Sequence, residues 1–212
     1  FGVLNLGKYI GNGDETDNKH LFVGDHIKIT EEHLMTTITL TKTEDIDFHA
    51  TISYLDDTLS SDSSAALSAD LDLVIVSPSG KVYRGNQRED GTEEHYSTNE
   101  RVIINATDIE EGDYEIHIFS SVPKNHENDL RKLIEFGITL YGPLDKNKEK
   151  EFVKFEKATK CIPLEGQFNG QCNEETTLNE CSNLRYGRSC QTGAHEFYPD
   201  FPREVYNIPP YG

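Results

Sequence analysis

From about residue 21 to residue 141 the dominant period of the apolar side chains is two. No stretch there sustains a capped 3.6-residue period. Ile134, Phe136, Ile138 and Leu140 alternate with Glu135, Gly137 and Thr139, the pattern of a strand with one buried and one wet face. Residues 35–40 and 48–54 are rich in Thr, Ile and aromatics, which suit a pleated, half-buried surface. Phe22, Ile27 and Ile29 mark the first strands. Leu71, Leu73 and Ile75 share one face while Val74 and Val76 occupy the other, which predicts a central strand. Ser77-Pro78-Ser79-Gly80 reads as a turn, because Pro presets a negative φ and Gly accepts a positive one. Residues 81–84 then form the returning strand. Residues 101–105, 113–119 and 133–141 supply three more strands, with a turn at Glu110-Glu111-Gly112-Asp113. Eight to nine short strands separated by turn signals predict an all-β protein, an antiparallel jelly roll or β-sandwich.

Composition divides the chain further. Acidic residues number 38 against 20 basic, a net charge of -18. That balance argues against wrapping phosphate backbones or lying on anionic lipid, so neither a nucleic-acid partner nor membrane binding is expected. No run approaches the roughly 18 apolar residues of a membrane span, so no membrane insertion is expected either. Between 145 and 160, however, six lysines face four acids, directly after Gly142-Pro143. We therefore expect a sandwich over 21–142 and a charged linker over 143–160. A small Cys-rich module with a Pro/aromatic arm is expected over 161–212. In that arm Phe197, Tyr198, Phe201 and Tyr206 are either anchors on a neighbouring surface or part of a disordered tail. The chain opens at Phe1, without an initiator Met or a signal-like apolar segment. Residues 1–20 are accordingly expected to be the end of an upstream domain or a linker.

All four cysteines, Cys161, Cys172, Cys181 and Cys190, fall in the C-terminal module. Their gaps of ten, eight and eight residues exclude the short pair spacing of a zinc knuckle. Two disulfides suit a loop-rich segment too poor in apolar residues to hold itself together, and three pairings are open. Disulfides imply an oxidising compartment, and the acceptor triplet Asn105-Ala106-Thr107 agrees with a secreted glycoprotein.

No motif assembles a catalytic set. The chain has no G-x-S-x-G elbow, no H-E-x-x-H, no P-loop and no G-x-G-x-x-G following a strand. His126-Glu127 and His195-Glu196 lack a second His one turn later. The histidines at 20, 26, 33, 49, 95 and 117 fall in loops and on outward strand faces, where solvated surface positions are expected.

The run Ala69-Asp70-Leu71-Asp72-Leu73-Val74-Ile75-Val76-Ser77-Pro78-Ser79-Gly80-Lys81-Val82-Tyr83 resembles the D-L-D-L-x-(V/I)-x-S-P-x-G-x-x-Y signature of sandwiches that follow subtilisin-like serine protease domains. Proprotein-convertase P domains and bacterial prepeptidase C-terminal domains carry related forms. Ser53-Tyr54-Leu55-Asp56, Gly85-Asn86, Asn99-Glu100-Arg101-Val102 and Glu111-Gly112-Asp113-Tyr114-Glu115-Ile116 keep the family order. Phe1-Gly2-Val3-Leu4-Asn5 is similar to the segment that closes a subtilisin-like catalytic domain. Tyr54 stands where Trp is frequent in the family and Asp57 where Pro is frequent. The resemblance covers roughly residues 1–142 and leaves the Cys-rich module unmatched.

It implies a non-catalytic C-terminal part of a secreted subtilisin-like serine protease, with a catalytic domain or chain as partner and the triad upstream of Phe1. Apolar residues 1–6 would be buried at that junction. It also implies calcium. Asp70 and Asp72, two apart on a strand, project from the same face, and Asp56-Asp57 ends an earlier strand. Such oxygen ligands suit Ca²⁺. Asp14-Glu15-Thr16-Asp17 lacks the spacing and Gly of an EF-hand. The other readings are an extracellular structural or adhesive sandwich without protease activity, and a carbohydrate-binding jelly roll, disfavoured by the absence of Trp.

Overall fold

The computed structural model describes residues 20–29, 31–42, 45–56, 70–86, 97–121, 134–145, 154–164, 170–182, 185–186, 188–190 and 192–193. It divides into two compact units, Phe1–Thr159 and Lys160–Gly212.

In the first unit the strands are β1 His20–Lys28, β2 His33–Leu40, β3 Phe48–Tyr54, β4 Asp70–Val76, β5 Val82–Arg84, β6 Asn99–Ile104, β7 Gly112–Ser121, β8 Glu135–Gly142 and the short β9 Glu156–Lys157. One sheet has the order β1-β8-β3-β6 and the other β5-β4-β7-β2-β9. Apart from β9, this is the order of an eight-stranded jelly roll, with every pairing antiparallel.

The period-two alternation builds the core directly. Phe48, Ala50, Ile52 and Tyr54 of β3, with Phe136, Ile138 and Leu140 of β8, face Leu71, Leu73 and Ile75 of β4 and Tyr114, Ile116 and Ile118 of β7. Strand β4 is central, between β5 and β7, and its outward Val74 and Val76 are buried as well. Phe22 and Ile27 belong to a single strand. Its register slips between Gly24 and Ile27, where His26 takes a left-handed backbone (φ 54°) and donates its N–H to Asp25 Oδ1 at 2.8 Å. A bulge of this kind keeps Phe22 and Ile27 on one face although they are five residues apart.

The sandwich also draws on the stretch expected as linker. Leu144 is buried and bridges to Leu40, Phe155 meets Phe136 edge-on at 5.4 Å, and Glu156–Lys157 pair with Leu34 and Met35. Charge composition marked 143–160 as a boundary, but the edge of β2 recruits its final residues as β9.

The second unit is held by its cysteines. Cys161 pairs with Cys172 and Cys181 with Cys190, at Cα separations of 5.8 and 5.3 Å, so of the three pairings open to the sequence the two nearest-neighbour links form. Strands β10 Gly170–Asn173 and β11 Leu178–Cys181 make a hairpin, and β12 Arg185–Tyr186 pairs with β13 Thr192–Gly193. At the hairpin tip Asn173 Oδ1 accepts the N–H groups of Glu175 and Thr176, and Thr177 adopts the left-handed backbone that closes the turn. The Asn179 amide donates to the carbonyls of Ile162 (3.0 Å) and Arg188 (2.8 Å), joining the two disulfide-linked segments through one side chain. Phe197, Tyr198, Phe201 and Tyr206 lie outside the described residues, as do residues 1–19.

Candidate functional site

The turn after β4 is a densely hydrogen-bonded polar site of the sandwich. Gly80 takes φ 87° and donates its N–H to the Ser77 carbonyl at 2.9 Å, while Ser77 N–H donates to the Lys81 carbonyl. The Glu110 carboxylate spans this turn. Ser77 Oγ donates to it at 3.1 Å, Ser79 Oγ at 2.6 Å and Ser79 N–H at 3.2 Å. Glu110 is in turn fixed from below, because its own N–H donates to the buried Tyr114 hydroxyl at 2.8 Å. Gly112, at φ 142°, leaves room for Pro78, whose Cγ would lie 3.0 Å from an added Cβ. Lys81 completes the surface, with Nζ 4.8 Å from the centre of the Tyr83 ring and 3.9 Å from Asp108. The S-P-x-G turn and the E-G-x-Y hairpin, 30 residues apart in sequence, are thus one hydrogen-bonded assembly.

Those bonds hold the Glu110 carboxyl below the ordinary carboxylate range, led by the Ser79 hydroxyl and then the Ser77 hydroxyl, the Ser79 amide and the Lys81 ammonium. A group whose folded value is depressed contributes stability above its unfolded pKa of about 4.3. It loses that contribution as pH falls through the lower folded value. Glu110→Gln is therefore expected to flatten the acid limb of the stability curve. Thermal midpoints compared between about pH 6 and about pH 3 check this, and an unchanged acid limb would contradict the assignment.

The carboxylates singled out for calcium are near enough to the buried phenol of Tyr54 to act on it electrostatically. That hydroxyl accepts the Leu71 N–H at 3.4 Å. Its pKa is pushed far up, first by burial and then by the neighbouring charges of Asp70, Asp56 and Asp72. Asp70 and Asp72 share the outward face of β4, Asp72 being buried and Asp70 half-buried, and Asp56 follows β3. Asp57 lies outside the described residues. Among the described residues no group of three His, Cys, Asp or Glu side chains is placed to hold a metal ion.

Two histidines expected as solvated are buried instead. His33 and His117 are 2% and 0% exposed. The register explains their meeting: His33 lies opposite Phe119, and His117 opposite Met35, on the outward face of neighbouring strands. His33 Nε2 is 2.9 Å from His117 Nδ1, His117 Nε2 is 3.3 Å from Glu115 Oε2, and His33 stacks on Phe119 with centroids 4.1 Å apart. A neutral His117 that donates from Nε2 to Glu115 would accept from His33 Nε2 at its Nδ1. Asp72 and Arg84, both buried, stand on the same face, beside Phe119 and Val74 respectively. The only sequence signal was the shared outward parity of His33 and His117, which is also the parity of a solvated residue. His26 is exposed as expected, and His49 is half-buried with its ring 5.9 Å from Tyr141.

Asn105 is exposed immediately after β6, at the start of a 3-10 turn over Ala106–Asp108. The two disulfides are consistent with an extracellular or secretory-pathway protein. No helix among the described residues is long and apolar enough to cross a membrane.

No protein-family model and no curated protein matches the chain. Among solved structures, a chain in the structure of infectious bursal disease virus Gx strain is similar over 65% of this chain and 43% of its own length, at 8% identity and a TM-score of 0.22. Likeness at that level bears on neither activity nor partners.

Proposed function

We propose that this chain is a non-catalytic C-terminal portion of a secreted subtilisin-like serine protease, which packs on the catalytic domain and stabilises it. One observation carries the reading. The segments that resemble the family's sandwiches converge in space: the Asp70–Val76 strand leads into the Ser77–Gly80 turn, that turn is bonded to Glu110, and Gly112 gives way to Pro78. A resemblance scattered over unrelated surfaces would carry less weight. The jelly-roll strand order is compatible with the reading and, being shared by many functions, does not establish it.

The first test is the gene's complete reading frame. A nucleophile segment of the form G-T-S-x-(A/S) upstream of Phe1 is expected. Its absence removes the protease reading in favour of a structural or adhesive extracellular sandwich.

Calcium belongs to the same proposal, with Asp56, Asp70 and Asp72 as the donors that the resemblance implies, although the described residues do not bring these three together as a ready-made site. Addition of Ca²⁺ is expected to raise the thermal midpoint of the sandwich, as binding to the folded state alone must. Asp70→Asn should abolish the rise. A midpoint indifferent to Ca²⁺ and to chelator removes the metal from the account.

A further inference from the structure

The end of β6 presents a chemically specific surface that neither the core nor the disulfides use. Asn105-Ala106-Thr107 is the chain's only Asn-x-Ser/Thr triplet. Asn105 has an extended backbone (φ −64°, ψ 148°), and its side chain makes no capping hydrogen bond to the turn that follows. Its carbonyl accepts the Asp108 N–H at 2.8 Å, so the backbone is fixed while the carboxamide is left exposed. Thr107 is exposed as well. Ala106 between them is buried, and its N–H donates to Asp47 Oδ1 at 2.8 Å. The middle residue thus anchors the triplet, while the two residues that matter for modification face solvent.

The position also bears on the sheet. Among the described residues β6 is the last strand of its sheet, and edge strands invite pairing with another chain. Asn86 blunts the first half of this edge: its N–H donates to the Arg101 carbonyl at 3.1 Å, its Oδ1 accepts the Arg101 N–H at 3.2 Å, and its Nδ2 donates to the Asn99 carbonyl. Ile103, 39% exposed, lies farther along on the same face as Asn105. Arg101, Ile103 and Asn105 alternate with buried Val102, Ile104 and Ala106.

We infer that Asn105 is an N-glycosylation site and that its glycan shields the Ile103 end of the β6 edge. The donor is an oligosaccharide carried on a polyprenyl diphosphate. Asn105 Nδ2 bonds to the anomeric carbon of the first sugar and loses one proton. The bond from that carbon to the diphosphate oxygen breaks, and the diphosphate leaves with the electron pair. No oxidant or reductant is involved. The inference rests on the exposure of this one turn and stands apart from the protease reading.

The test is secretion of the full chain from eukaryotic cells, with intact mass measured before and after peptide N-glycosidase. The enzyme is expected to remove a glycan and leave Asp at position 105. Asn105→Gln and Thr107→Ala should lack the glycan, and Thr107→Ser should keep it. Secreted protein with an unmodified Asn105 overturns the site. The shielding role is read by sedimentation of the folded protein before and after enzymatic removal of the glycan. Concentration-dependent self-association is expected only after removal, and identical behaviour of the two forms overturns that role.

Discussion

Tyr114→Ala is expected to destabilise the sandwich by about 3–5 kcal/mol, the range for deleting a large, fully buried aromatic. Tyr114 is among the largest completely buried side chains of the core. Its ring lies between the sheets on β7, and its hydroxyl accepts the Glu110 N–H at 2.8 Å, with burial raising its pKa. Tyr114→Phe separates the two contributions. It keeps the packing and leaves the part-buried Glu110 N–H without that acceptor, an effect of about 1–3 kcal/mol. Denaturant midpoints of both variants give the measurement. If Tyr114→Phe is neutral, the hydrogen bond does not hold the Ser77–Gly80 assembly. If Tyr114→Ala is mild, the ring does not belong to a close-packed core.

Reduction of the two disulfides is expected to unfold the Lys160–Gly212 unit and leave the sandwich folded. In the chain-entropy account a loop of about 15 residues contributes near 3 kcal/mol, so these shorter loops contribute slightly less each. The sequence separations are 11 and 9. Among the unit's described residues only Ile162, Thr177, Ser189 and Cys190 are buried. Its described strands are two to four residues long, and among the described residues the core cluster contains none beyond Phe155. Limited proteolysis with and without reductant, read by mass spectrometry, should release peptides from 160–212 only in reductant. Simultaneous release of peptides from β3, β4 or β7 would mean that the two units do not unfold independently.

The sandwich was legible because its information is local and periodic. Strand β3 coincides with the expected 48–54, and β4 has the two apolar faces that predicted a central position. What escaped depends on partners distant in sequence. The outward histidines of β2 and β7 carry the parity of solvated residues, and only the register of two strands 84 residues apart brings His33 against His117. The pairing of Glu156–Lys157 was hidden for a related reason. A two-residue strand has no measurable period, and its lysine-rich surroundings read as a linker. The bulge in β1 disguised one strand as more than one, since it interrupts the alternation that otherwise identifies a strand. Disulfide pairing needs three-dimensional proximity that spacing alone does not supply. Among the candidate site residues, the common face of Asp70 and Asp72 followed from strand parity. Their electrostatic influence on Tyr54, which stands on the facing sheet, did not.

The most direct measurement of the proposed role is the thermal midpoint and peptidase activity of the protein expressed from its complete reading frame, with residues 21–159 present or removed. A stabilising sandwich predicts that the catalytic part loses both its thermal stability and its activity when those residues are deleted. An upstream peptidase that melts and turns over substrate identically without them would contradict the account.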